Sequence, residues 1–311
     1  MRHGSSAKSV PVLEIGGTHL ESALINCTTW TVVPGSVTRC DFDATESADA
    51  LIGAMVQSME AVPREQSTDW AIAIPGPFNY QAGIGLYEHV GKFDSLRGVN
   101  LGEELLRRLR PEPASIRFLN DADAFGIGEY AVGAAEKQAR AICITLGTGI
   151  GSAFLQNGEP INSGPAVPPD GSAHRIHYRG RPLEETVSRR AIISAYAAAV
   201  GSRVEDVPDV RQIADLSRKG DQIATEVLSS TFTHLGAALA SAVARFSATS
   251  LIVGGSMSNS WDIVEPALRD GLVRELPALA SLQILRAEKA AEAALIGAAF
   301  WCHQKALRTG A

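Results

Sequence analysis

Residues 10–26, VPVLEIGGTHLESALIN, and residues 141–156, AICITLGTGIGSAFLQ, are built to one plan. Each opens with an apolar strand, over Val10–Ile15 and Ala141–Leu146. Each turns on glycine and threonine, in EIGGT (Glu14–Thr18) and LGTGIG (Leu146–Gly151), and continues into a second strand, over Leu20–Asn26 and Ser152–Gln156. The first half then predicts a third strand near Val32–Arg39, a helix over Ala48–Met59, and a strand over Asp69–Ile74. That strand stops at Pro75-Gly76-Pro77, because proline cannot donate to a sheet ladder. In the second half Asn157-Gly158 gives a tight return toward Ile161. Helices follow over Pro182–Val200, Val210–Arg218 and Gln222–Phe246, then a strand over Ser250–Val253 ending in Gly254-Gly255. A helix from near Ser260, a strand over Leu282–Arg286 and a closing helix from Ala290 to about Ala306 complete the chain. A βββαβα order used twice reads as an α/β protein of two related lobes with a cleft between them. The expected division is a leader over residues 1–9, a smaller lobe over 10–121 on which 290–311 packs back, and a larger lobe over 122–289.

Composition narrows the function. The 311 residues are 45% hydrophobic and 20% charged, as in an ordinary globular protein. A net charge of −6 argues against nucleic acid or an acidic membrane as partner. Cys27, Cys40, Cys143 and Cys302 are too far apart for a CxxC metal or redox motif and read as reduced thiols of a cytoplasmic protein. No uninterrupted apolar run approaches the ~20 residues of a membrane span. MRHGSSAKS lacks the apolar centre of a signal peptide and is expected to be a disordered leader.

Between the two glycine turns lies SIRFLNDADAFGIGE, Ser115–Glu129, where a short apolar strand breaks into a small-residue helix at Asn120-Asp121. Strand ends of this kind are where open α/β folds place chemistry, which makes Asp121 a candidate base. Asn-Asp also caps helices well, so the pair reads equally as a turn. The glycine turns are open to two readings as well: plain hairpins, or backbone N–H groups and a threonine hydroxyl turned toward the oxygens of a nucleotide. There is no GxxxxGK[ST] P-loop, and neither turn fits the GxGxxG dinucleotide fingerprint.

EIGGTHLESALI, AIPGP, NDADAFGIGE, TLGTGIGSAF, LEETVSRRAI, LIVGGSMSNSW and AALIGAAF, in this order and spacing, resemble the ROK family of bacterial sugar kinases and sugar-responsive repressors. The resemblance implies a duplicated ribonuclease H-like fold of the actin-like ATPase type. The repressors carry a helix-turn-helix region before the first glycine turn. Here that turn begins at Glu14, so an enzyme is expected. The implied reaction moves the γ-phosphoryl group of ATP, with Mg²⁺, to a hydroxyl of a hexose or hexose-like polyol, with a primary hydroxyl expected. Such transfer needs a carboxylate to orient and deprotonate the acceptor. Asp121 matches the family's catalytic aspartate, and Asn120, Gly76 and Glu184 match its sugar-binding positions. Gly16, Gly17, Thr18, Gly147, Thr148, Gly149, Gly254 and Gly255 match its nucleotide-binding turns. Glu14 stands where the family has aspartate, and would reach Mg²⁺ through water. Asp123 reads as a helix-start residue.

The segment DGSAHRIHYRGRPLEETVS departs most from the family. His174 matches the family histidine, Gly171 occupies the place of a sugar-binding glutamate, and the zinc-binding cysteines are missing, so no structural zinc is expected. Asp170 supplies the lost carboxylate if the loop shifts by one residue. His174 and His177 read as a polar loop or a bare pair of metal ligands. His89 or Lys92 replaces an asparagine that relatives present to the sugar. These changes leave an amino sugar, a C7-cyclitol (carbasugar), or a polyphosphate donor open. A non-catalytic sugar-sensing protein is the alternative from another class, and a homodimer is what the resemblance implies for assembly.

Overall fold

The computed structural model describes residues 9–63 and 69–309. The expected leader lies outside the described residues except at its end, where Ser9 already belongs to the first strand. The chain divides into two compact units. One ends at Val132 and takes up the chain again from Ala291; the other runs from Gly133 to Ala290.

The first unit is a six-stranded sheet with helices. Its strands are β1 (Ser9–Ile15), β2 (His19–Asn26), β3 (Thr31–Val32), β4 (Thr38–Asp41), β5 (Asp69–Ile74) and, after a small hairpin of β6 (Phe78–Asn79) with β7 (Ile84–Gly85), β8 (Ser115–Asn120). The sheet order is β3-β2-β1-β5-β8, with β4 also on β2. β1 and β2 are antiparallel, whereas β1, β5 and β8 are parallel. Strands covered on both faces read as continuous apolar runs, and β5 is one: Trp70, Ala71, Ile72, Ala73 and Ile74 are all fully buried. The single third strand expected over 32–39 is two short ones instead, because Pro34 offers no N–H and Gly35 turns the chain at φ 75°.

Among the described residues the α-helices before the second unit are α1 (Ala48–Glu60), α2 (Leu101–Arg108) and α3 (Asp121–Val132). α1 is capped by Ser47, whose side chain accepts from the Ala50 N–H. α2 was not among the expected helices, although Asn100 caps it by accepting from the Glu103 N–H. The expected boundary at Asp121 is corrected by α3, which belongs to the first unit. It packs so closely on the closing helix, Ala293–Thr309, that a Cβ at Gly128 would run into the Ala293 carbonyl, and one at Gly297 into the Ala124 carbonyl.

The second unit repeats the sheet. Its strands are β9 (Arg140–Leu146), β10 (Ile150–Gln156), β11 (Glu159–Pro160), a separate hairpin of β12 (His177–Tyr178) with β13 (Arg181–Pro182), then β14 (Ser250–Gly254) and β15 (Gln283–Arg286). The order β11-β10-β9-β14-β15 has the same antiparallel hairpin and parallel extension as the first sheet. Its helices are α4 (Glu184–Val187), α5 (Arg189–Val200), α6 (Val210–Arg218), α7 (Gln222–Phe246) and α8 (Trp261–Glu275). The helix expected over 182–200 is broken at Ser188, which ends α4 and caps α5 by accepting from the Ala191 N–H. α7, at 25 residues, is long and apolar enough to cross a membrane by length and composition. Its apolar residues instead fill the core of this unit: Leu228, Phe232, Leu235, Leu239, Val243 and Phe246 are buried.

Candidate active site

In the first unit, parallel register gathers the chemistry at one sheet edge. Glu14 of β1 lies beside Ala73 of β5, and Ala73 beside Leu119 of β8. The three strands therefore end together, and the Gly16-Gly17 turn, the Pro75-Gly76-Pro77 segment and Asn120-Asp121 leave the sheet side by side. The crevice outside parallel strand ends is where α/β sheets bind ligands.

The capping ambiguity at Asn120-Asp121 is resolved by division of labour. The Asn120 Oδ1 accepts from the N–H groups of Ala122 (2.9 Å) and Asp123 (3.2 Å), so Asn120 is the helix cap. Its Nδ2 donates to the Tyr80 hydroxyl at 3.0 Å, and that hydroxyl donates to the Ile74 carbonyl at 3.3 Å. An amide nitrogen has two protons, which leaves one for another acceptor. Asp121, spared the main capping role, accepts from the Ala122 N–H at 2.9 Å. Burial raises the pKa of its carboxyl above the usual range; hydrogen bonds from the backbone and Asn120 oppose this. Gly76 adjoins the same network, since a Cβ there would lie 3.2 Å from the Tyr80 hydroxyl. Tyr87 donates to the Pro75 carbonyl at 2.7 Å, and burial pushes the phenols of both tyrosines above their ordinary range.

Glu14 faces Glu21 directly across β1 and β2. Arg39 of β4 pairs with Glu21 at 3.2 Å and reaches Glu14 only as a weaker, opposing charge. Burial, then the Asp121 and Glu21 charges, push its carboxyl up to about 7. Two half-buried carboxylates at the edge that carries a glycine turn suit a hard cation with oxygen ligands. Among the described residues no group of three or more His, Cys, Asp or Glu could hold a metal ion by itself. An ion here would need phosphate oxygens and water to complete its shell.

The second unit assembles a matching edge. Thr145 of β9 lies beside Gly254 of β14, so LGTGIG and Gly254-Gly255 emerge together. Gly255, at φ 80°, sits so close to Leu146 that a Cβ would clash with its backbone. The Arg189 N–H donates to the Gly147 carbonyl at 3.2 Å and ties the start of α5 to the turn. A Cβ on Gly149 would meet the Glu184 carboxylate, which lies directly over the turn that also carries Thr148. His174 is close enough to feel the Glu184 charge, but burial dominates and lowers its pKa, favouring neutral imidazole.

The remaining expected contacts have partners of their own or face solvent. Asp170 is exposed at φ 56° and its carboxylate pairs with Arg175. Gly171 cannot stand in for a carboxylate, and its carbonyl accepts from the Ser152 hydroxyl at 2.7 Å. His177 is exposed and hydrogen-bonds the Arg175 carbonyl. His89 is exposed at φ 56°. Nothing in FNYQAGIGLYEHV marks Tyr80 as the support of Asn120, forty positions away, or Tyr87 as a support of the Pro75 carbonyl. Lys92, the alternative to His89 as an acceptor contact, has its ammonium 2.6 Å from where a Cβ on Gly17 would stand.

The family model for the ROK family matches residues 11–305, nearly the whole chain. The chain belongs to the ROK family. Among ROK relatives, the glucokinase of Thermotoga maritima is 26% identical over 234 residues, covering 69% of this chain and 72% of its own. An N-acetylmannosamine kinase of Haemophilus influenzae is 28% identical over 195 residues, covering 60% of this chain and 62% of its own. Of solved ROK structures, a Streptomyces griseus glucokinase in complex with glucose and AMPPNP superposes with a TM-score of 0.74 at 22% identity, over 96% of this chain and 100% of that one. At that identity the likeness establishes the fold, of the actin-like ATPase type, and the duplicated sheets agree with it.

Proposed function

We propose that this chain is a cytoplasmic, ATP- and Mg²⁺-dependent carbohydrate kinase that transfers the γ-phosphoryl group to a primary hydroxyl of a hexose or hexose-like polyol. The observation that carries the reading is the shared edge of β1, β5 and β8, where a carboxylate held by a capped helix start stands beside a glycine turn. The kinase names of the ROK relatives support it.

In this reading Asn120, fixed by Tyr80, holds an acceptor hydroxyl, and Asp121 takes its proton as the new bond to phosphorus forms. A carboxyl made more basic by burial is a better proton acceptor at neutral pH. Gly16 and Gly147 shape the two turns, their N–H groups donating to the His19 carbonyl (2.9 Å) and the Gly149 carbonyl (3.1 Å), and the backbone of Gly17, Thr148, Gly149, Gly254 and Gly255 with the Thr18 hydroxyl holds the nucleotide. Glu14 would help to hold a magnesium ion through water, and the ion would supply positive charge to the triphosphate oxygens.

Glu184 and neutral His174 contact the acceptor in the second unit. Gly171 leaves this loop without the glutamate of the family pattern, and Asp170, near enough for His174 to feel its charge, pairs with Arg175. That favours an amino sugar or a C7-cyclitol over plain glucose.

The test is ADP release across hexoses, N-acylated amino sugars and cyclitols, with ATP and with polyphosphate as donors. One acceptor is expected to give turnover, and Asp121→Asn to lower kcat by about 10²–10⁴-fold. Acceptor binding by calorimetry without product from either donor would favour the non-catalytic sugar sensor. Near-normal turnover of Asp121→Asn would remove Asp121 as the base.

A further inference from the structure

The loop from Glu88 to Asp94 is held more firmly than a surface connection requires. Three of its residues have positive φ: His89 at 56°, Gly91 at 77° and Phe93 at 61°. Two are not glycine, and non-glycine residues in this region persist where surrounding contacts over-determine them, often at functional sites. Those contacts are present here. The Asp94 carboxylate accepts from the N–H groups of Val90 (3.0 Å) and Gly91 (3.1 Å). The Phe93 N–H donates to the Ala44 carbonyl at 2.7 Å, and its buried ring packs against Phe42 and Tyr87.

Lys92 sits between these anchors. Its Nζ lies 2.6 Å, and its Cδ and Cε 3.2 Å, from where a Cβ on Gly17 would stand, so the side chain lies across the glycine turn. Lys92 is half-buried and forms no ion pair among the described residues. The two other basic side chains described beside the turn are otherwise engaged. Arg39 is engaged with Glu21, and His19, whose ring lies against Gly16, is held neutral by burial and the Arg39 charge. A strained, anchored loop that lays an ammonium across this turn, where the Gly16 N–H is taken by the His19 carbonyl, makes with the Gly17 and Thr18 N–H groups an anion site for phosphoryl oxygens.

We propose that Lys92 contacts the terminal phosphoryl oxygens of the nucleotide donor at the Gly16-Gly17 turn, and does not contact the acceptor. This rests on the kinase reading above. As the acceptor oxygen bonds to phosphorus, the bond to the bridging oxygen breaks and its electron pair leaves with ADP. The acceptor proton passes to Asp121, and Lys92 offsets charge on the non-bridging oxygens throughout.

The experiment compares the full chain with Lys92→Met and Lys92→Arg. It measures binding of Mg·β,γ-imido-ATP and of AMP by calorimetry, and steady-state kinetics with ATP and acceptor varied separately. Lys92→Met is expected to weaken imido-ATP binding at least tenfold and lower kcat/KM for ATP about 10²-fold, with AMP binding and acceptor KM within threefold of the wild type. Lys92→Arg is expected to recover part of the loss. A rise in acceptor KM alone would overturn the proposal in favour of an acceptor contact. Unchanged values throughout, with an active wild type, would overturn it while leaving the kinase reading intact. A wild type that binds neither nucleotide and turns over no acceptor would overturn both.

Discussion

Tyr80 and Glu14 show how single residues at the sheet edge trade stability against function. Tyr80→Phe removes the partner of the Asn120 amide and the donor to Ile74. It is expected to cost about 1–2 kcal/mol in denaturant unfolding and to raise acceptor KM more than it lowers kcat. Glu14 acts in the opposite sense. Its folded-state pKa is raised from 4.5 to about 7, so the unfolded chain loses this proton first and the folded chain keeps it. Stability from this group is present in full below the unfolded value and declines as pH climbs through the folded one. In magnesium-free buffer Glu14→Gln is therefore expected to unfold at higher temperature than the wild type at pH 8, by up to about 3 kcal/mol, and to lose that advantage near pH 4. Asp121 has a kinetic counterpart. With its carboxyl raised by burial, the acid limb of kcat/KM should fall at a pH above that of an ordinary aspartate. A limb at or below pH 4 would contradict the assignment.

At the scale of elements, glycines separate what holds the fold from what serves the site. Gly255 has positive φ and a backbone neighbour in Leu146, so Gly255→Ala has no way to relax. It should destabilise by about 1–3 kcal/mol, read as a fall in Tm. Gly149→Ala meets only the end of the Glu184 side chain, which can swing aside. It should leave Tm nearly unchanged while weakening acceptor and nucleotide binding. The glycine turns were legible in the sequence because both follow apolar strands of the same length and lead into another. Strand β5 and helices α6 and α7 were legible for similar local reasons, namely apolar runs, caps and a proline stop. Helix α2 was not, because its eight residues between loops are too few to stand out as a helix. The position of Lys92 was hidden for another reason: three consecutive alternate residues with positive φ set its direction, and only one of them is a glycine.

For the whole molecule, the duplicated order was visible in the repeated strand–turn–strand pattern, but the boundary was not. It depends on α3 meeting a helix that begins more than 150 residues later in the sequence, through Gly128 and Gly297. Native-state hydrogen exchange should therefore report two cooperative blocks that ignore chain order. Gly297→Ala is expected to lower protection across Ser9–Val132 and Ala293–Thr309 together, while Gly133–Ala290 stays as in the wild type. Uniform loss over the chain would mean one cooperative block. The interleaved order also bears on synthesis. Domains usually fold from the N-terminus as they leave the ribosome, at about 5–20 residues per second. Here the first unit must wait while the second is made, for roughly ten to thirty seconds, before its closing helix emerges. The later-made unit is thus the first that can finish, and the strands of the earlier one spend that interval as a client for chaperones.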